Sequence, residues 1–151
     1  LLEHRDISWM ADGTLTTRVH EVVWINTSRG IRGYADLRIP WNTTTSTLDV
    51  EVLRTWREDS WWPGPDVVSP TAVVTTLPYA VDHADDYTAM RETMLLHDGV
   101  ELPCIMETVY VITEQETPAT GGLFVMAQRD PTVMARLTVQ VPRTGRCCSR
   151  P

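Results

Sequence analysis

A chain of 151 residues with 42% hydrophobic and 22% charged residues has the composition of one globular domain, able to bury roughly 70% of the surface its unfolded form exposes. Its formal charge of −7, with arginine supplying all 13 basic residues, weighs against non-specific nucleic-acid binding, which needs clustered cations to displace counterions. No apolar run approaches the roughly 20 residues that a helix needs to cross a bilayer.

The opening LLEHRDISWM has neither an initiator methionine nor a basic-then-apolar leader. That suits a chain whose leader was removed or a piece of a longer one, and it leaves the compartment open between cytoplasm and periplasm. Asp12-Gly13 is a strong hairpin signal between HRDISWM and the β-branched run TLTTRVHEVVWIN (14–26). The stretch 27–42 holds Gly30, Gly33 and Pro40, and suits a helical turn or an irregular crossover. TLDVEVLRTWRED (47–59) alternates. Its reading as a regular strand puts Leu48, Val50, Val52 and Trp56 on one face, interrupted by Arg54, and Asp49, Glu51, Thr55 and Arg57 on the other.

AMRETMLLH (89–97), the turn Asp98-Gly99 and CIMETVYVITE (104–114) read as the next strand pair. Both faces of the second strand are largely apolar, which predicts a position in the middle of a sandwich. GLFVMAQR (122–129) and TVMARLTVQV (132–141) follow, and Pro142 stops the last. No segment has a long 3.6-residue period with caps. The expectation is an all-β fold: a two-sheet antiparallel β-sandwich of about eight or more strands with little helix. It places the domain at residues 1–142 and a tail, or the start of a linker, at 143–151.

The span 82–114 carries His83, Asp85, Asp86, His97, Asp98 and Cys104, the letters of a thiol hydrolase or transferase. Such an enzyme needs a thiolate with a histidine in hydrogen-bond reach and a third group orienting that histidine. Cys104 instead opens an apolar strand after Pro103, with no helix N-terminus to lower its pKa, so it reads as a structural thiol and no residue is assigned a catalytic role. With Cys147 and Cys148 it makes an odd count without metal-ligand spacing. His83, Asp85 and Asp86 are the candidate metal ligands, although their spacing matches neither an EF-hand nor a zinc signature, and an acidic loop of this kind is more often simply solvated. No cofactor is implied, since the phosphate-cradling glycine loops and hydrolase elbows are missing from the sequence.

WREDSWWPGP (56–65) concentrates tryptophan in a turn-rich stretch. Trp61 and Trp62, with Tyr79, are the candidate ligand-binding residues, because indole faces stack on apolar sugar faces. The competing reading is that they clip a loop or a neighbouring domain in place. Asn26-Thr27-Ser28 and Asn42-Thr43-Thr44 match glycosylation acceptors, a chance event in a threonine-rich chain.

The order of several segments resembles an N-terminal domain of unknown function found ahead of the core in bacterial transglutaminase-like proteins. The shared pattern is an early DG turn (Asp12-Gly13), Ile-Pro-Trp-Asn at 39–42, Arg-Thr-Trp-Arg at 54–57, the Asp98-Gly99 turn and the Glu107 to Tyr110 strand end. It covers roughly residues 5 to 145. The resemblance implies a two-sheet sandwich that is not itself an enzyme, with the Cys-His-Asp core in a following domain. The partner it implies is that catalytic domain of the same polypeptide, and a peptide or glycan is a further candidate. The alternative is a stand-alone carbohydrate or cell-wall binding module that uses exposed tryptophans.

Overall fold

A computed structural model describes residues 1–79, 88–115 and 130–142. Nine strands and one short helix are described, in chain order β1 (Leu2–Trp9), β2 (Leu15–Ile25), α1 (Ser28–Tyr34), β3 (Asp36–Asn42), β4 (Ser46–Arg57), β5 (Ser60–Trp62), β6 (Val73–Thr76), β7 (Met90–Leu96), β8 (Cys104–Glu114) and β9 (Met134–Gln140). They form a six-stranded sheet in the order β5-β4-β8-β2-β1-β9 and a three-stranded sheet in the order β3-β7-β6. The all-β, two-sheet architecture is therefore the one expected. Its pairings are antiparallel apart from β1 with β9, which run parallel.

The first hairpin closes where the sequence signals it: Gly13 takes φ 89, and the Asp12 carboxylate accepts the Thr14 amide at 2.9 Å. Residues 27–42 split into two elements. The Thr27 hydroxyl caps α1 by accepting the Gly30 amide. The chain then enters β3, which tolerates Pro40 because it is an edge strand and owes no ladder bond on its outer side.

Two features depart from the regular-strand reading. In β4 the register shifts between Val50 and Val52, a β-bulge that puts one extra residue into the strand. Past the bulge every side chain changes face, so Leu53 and Thr55 join Leu48 and Val50 on the inner face while Val52, Arg54 and Trp56 turn outward. Leu53 is 2% exposed and Thr55 fully buried, which corrects the alternation that placed Trp56 with Leu48. The apparent interruption by Arg54 is the trace of that bulge.

The second departure concerns β7 and β8, which do not pair. β7 lies between β3 and β6, whereas β8 is held between β4 and β2, so the segment through Asp98-Gly99 crosses between the sheets instead of closing a hairpin. Gly99 still needs its glycine, at φ 66. The interior position foreseen for β8 is the one it takes. The strand expected at 122–129 lies outside the described residues.

The sheets meet through Ile39 and Leu95 of the smaller one, Leu53 of the larger, and Ala72, with Leu48, Val50, Tyr110 and Ile112 packed around them. A second cluster joins Val23 and Ile25 of β2 to Cys104 and Met106 of β8, covered by Ile31 and Tyr34 from α1 and by its C-cap Ala35. Both layers lie on the same face of the six-stranded sheet, since the inner residues of β8 are Cys104, Met106, Tyr110 and Ile112, all of one parity. Burial at about 25 cal/mol per Å² of apolar surface makes these clusters the main support of the fold.

Candidate functional site

Trp61 and Trp62 sit on β5, a three-residue strand joined to β4 by a two-residue turn. Both turn residues, Glu58 and Asp59, take positive φ (48 and 58), which is the type I′ geometry matched to the sheet's twist. Neither residue is a glycine, so the turn stores backbone strain that the flanking strand pairing must hold.

The strand pleat then sends the two indoles apart. Trp61 stands opposite Trp56, with ring centroids 5.1 Å apart at 65°, an edge-to-face pair. The Arg54 guanidinium lies 4.0 Å over the Trp61 ring. Trp62 faces the other way: it is 40% exposed, lies near the Arg57 guanidinium at 4.7 Å, and packs on the turn at Gly99. A Cβ on Gly99 would come 2.8 Å from the Trp62 Cβ. Arg57 in turn pairs with Glu101, so Trp62 clips the crossover onto the end of β4.

Tyr79 is 87% exposed beyond β6 of the smaller sheet, and no hydrogen bond or ring contact joins it to the tryptophans among the described residues. His83, Asp85 and Asp86 lie outside the described residues. Among the described residues there is no group of three or more His, Cys, Asp or Glu side chains able to hold a metal ion.

The cysteine idea is testable for Cys104 with His97; of its other candidates, His83 and Asp85 lie outside the described residues. Cys104 is 3% exposed in the cluster beneath α1, and burial pushes its thiol pKa up, against the smaller opposing effects of the Glu101 backbone and the Arg57 charge. The His97 imidazole is occupied elsewhere: Nε2 lies 2.9 Å from the Thr108 hydroxyl and Nδ1 3.4 Å from that of Thr55. Burial lowers the His97 pKa to about 4, and a hydrogen bond to the Arg54 backbone opposes it. A buried neutral imidazole held by two threonines and a protonated buried thiol do not make an activated pair.

The best-organised polar group lies instead on the outer face of the large sheet and centres on Glu107. One carboxylate oxygen accepts from Arg54 Nε at 2.8 Å and lies 2.7 Å from Arg54 Nη2, while the other is 2.9 Å from His20 Nε2. Arg54 Nη1 donates to the Pro65 carbonyl at 2.5 Å. Glu107, a position of the family pattern, thus ties β8 to β4 and β2 at once. Tyr110, the other pattern position, belongs to the intersheet core, where burial raises its phenol pKa. A further set of groups lies on the inner face, where Glu3 and Glu21 stand directly opposite each other and Arg5 pairs with Glu3. Burial first, then the Glu3 charge, raises the Glu21 pKa.

Trp24, His20 and Arg54 were not among the candidates drawn from the sequence. The register places Trp24 opposite Ile105, and Ile105 opposite Trp56, so Trp24 shares the outer row with Trp56 and Trp61. Sequence separation concealed that row; a correct pairing of 14–26 with 104–114 would have exposed it.

With the geometry described, similarity supplies the family. Residues 11–146 match the model of a Domain of Unknown Function with solved-structure structure, DUF3857. The chain belongs to the DUF3857 family. Among solved structures, this DUF3857 chain is similar to the crystal structure of "a putative protease from Parabacteroides distasonis", at 23% identity and a TM-score of 0.65, over 75% of this chain. The chain spans 22% of that protein's length, and the likeness concerns the fold. No curated protein matches this DUF3857 chain significantly.

Proposed function

We propose that this DUF3857 chain is a non-catalytic accessory domain of a longer bacterial transglutaminase-like polypeptide, packing on or presenting partners to a downstream Cys-His-Asp core. The observation that carries this reading is the commitment of Cys104 and His97, among the described residues, to structure: Cys104 is buried under α1 and His97 is held between Thr55 and Thr108. Supporting it, the Parabacteroides chain is several times longer than the matched part. A protease and a transglutaminase can also share the same thiolate acyl-transfer chemistry in a separate core.

The test is to read the parent gene beyond Pro151 and assay its product. The expected result is a cysteine opening a helix, followed by a spaced histidine and aspartate, with activity lost when that cysteine becomes alanine and kept in Cys104→Ala. A stop codon soon after Pro151, or activity that depends on Cys104, overturns the reading.

A further inference from the structure

Four of the six tryptophans gather at one end of the six-stranded sheet, and three of them, Trp24, Trp56 and Trp61, form a row with Ile105 on the outer face. Three strand spacings make the row about 14 Å long. Trp24 is 64% exposed, the most exposed tryptophan described. Among the described residues, α1 and the smaller sheet both pack on the opposite face.

The polar groups bordering the row decide what kind of occupant suits it. Arg54 has Nε and Nη2 on Glu107, Nη1 on the Pro65 carbonyl and its planar face on Trp61. Glu107 has its second oxygen on His20, and further along the face Arg18 pairs with Glu51. A charged or hydroxyl-rich small ligand would have to displace these bonds to gain its own. An apolar protein surface can cover the row without stranding Arg54 or Glu107, because these two are already paired within the sheet. Tryptophan beneath arginine, as in half-buried Trp61 under Arg54 with exposed Trp24 at the other end of the row, is also the composition of interface centres.

We propose that the Trp24–Ile105–Trp56–Trp61 row is the surface through which this domain docks on an apolar, uncharged patch of the remainder of its own polypeptide. The inference rests on the accessory-domain reading. It is consistent with a structural neighbour that keeps most of its length outside the matched part.

The test uses the intact parent polypeptide: hydroxyl-radical footprinting read residue by residue, together with limited proteolysis, for wild type, Trp24→Glu and the control Tyr79→Glu. Trp24 labelled several-fold more slowly than Tyr79 at both low and high protein concentration is the expected result. Faster proteolytic release of the domain in Trp24→Glu alone is expected with it. Because Trp24 is exposed, the Trp24→Glu domain keeps its fold, checked by far-ultraviolet circular dichroism. Labelling of Trp24 as fast as Tyr79 overturns the docking surface. If the domain then still resists release, the accessory reading stands with another face docked; if it is freely released without effect on activity, that reading falls too. Protection that grows with protein concentration points to a second copy, and protection only on adding oligosaccharide points to a glycan; either result overturns the proposal.

Discussion

The buried His97 should make the domain's stability depend on pH in a defined window. Its imidazole titrates at about 4 in the fold against 6.5 for the free side chain, because burial disfavours the cation. The unfolded chain therefore binds the proton more readily than the fold between these two values, and stability must fall as pH drops from about 6.5 towards about 4. Above the window both states are neutral and His97 adds no pH dependence; below it the loss is complete. At about 1.4 kcal/mol per unit, the shift corresponds to a loss of about 3 kcal/mol across the window. That is a large share of a stability typically about 5–15 kcal/mol. The measurement is urea unfolding at a series of pH values for wild type and His97→Gln, since glutamine can still bond Thr108 without titrating. The difference between the two curves isolates His97 from the carboxylates that titrate at the lower end. A proton-NMR titration of the His97 ring near 6.5, or a variant with the same pH dependence as wild type, refutes the argument.

The bulge in β4 predicts opposite outcomes at adjacent positions. Leu53→Ala, inside the intersheet cluster, should cost about 2–5 kcal/mol in chemical unfolding, and Val52→Ala on the outer face about 1 kcal/mol or less; equal effects would mean no bulge. Gly99→Ala should destabilise by more than about 1 kcal/mol and alter tryptophan fluorescence, because both φ 66 and the Trp62 side chain oppose a Cβ there. A neutral Gly99→Ala would show that Trp62 does not clip that turn. Cys104 should resist alkylation in the folded protein near neutral pH and react once denaturant unfolds it, read by mass spectrometry; fast native labelling would contradict its burial and raised pKa.

The sequence determined the secondary-structure class and most strand positions by itself, because they follow from local chemistry. β-branched richness gave β2, the DG pair gave the first hairpin, and the doubly apolar run 104–114 gave an interior strand. The family pattern was also local enough to read, and the family match bears out the domain of unknown function. Beyond the first hairpin, tertiary structure alone decided which strands met. A turn signal such as Asp98-Gly99 says that the chain bends, not whether it returns to its own sheet, and here it crosses to the other. The bulge after Val50 is likewise invisible in the residue order, since it is defined against the partner strand. Trp61 and Trp62 were legible as a pair in the sequence, yet the pleat assigns one to an outer aromatic row and the other to a crossover clip. Glu107 gains its role only when three strands align Arg54 and His20 beside it. Local propensity acts within a few residues along the chain, whereas register is fixed by burying one face of each strand against residues tens of positions away.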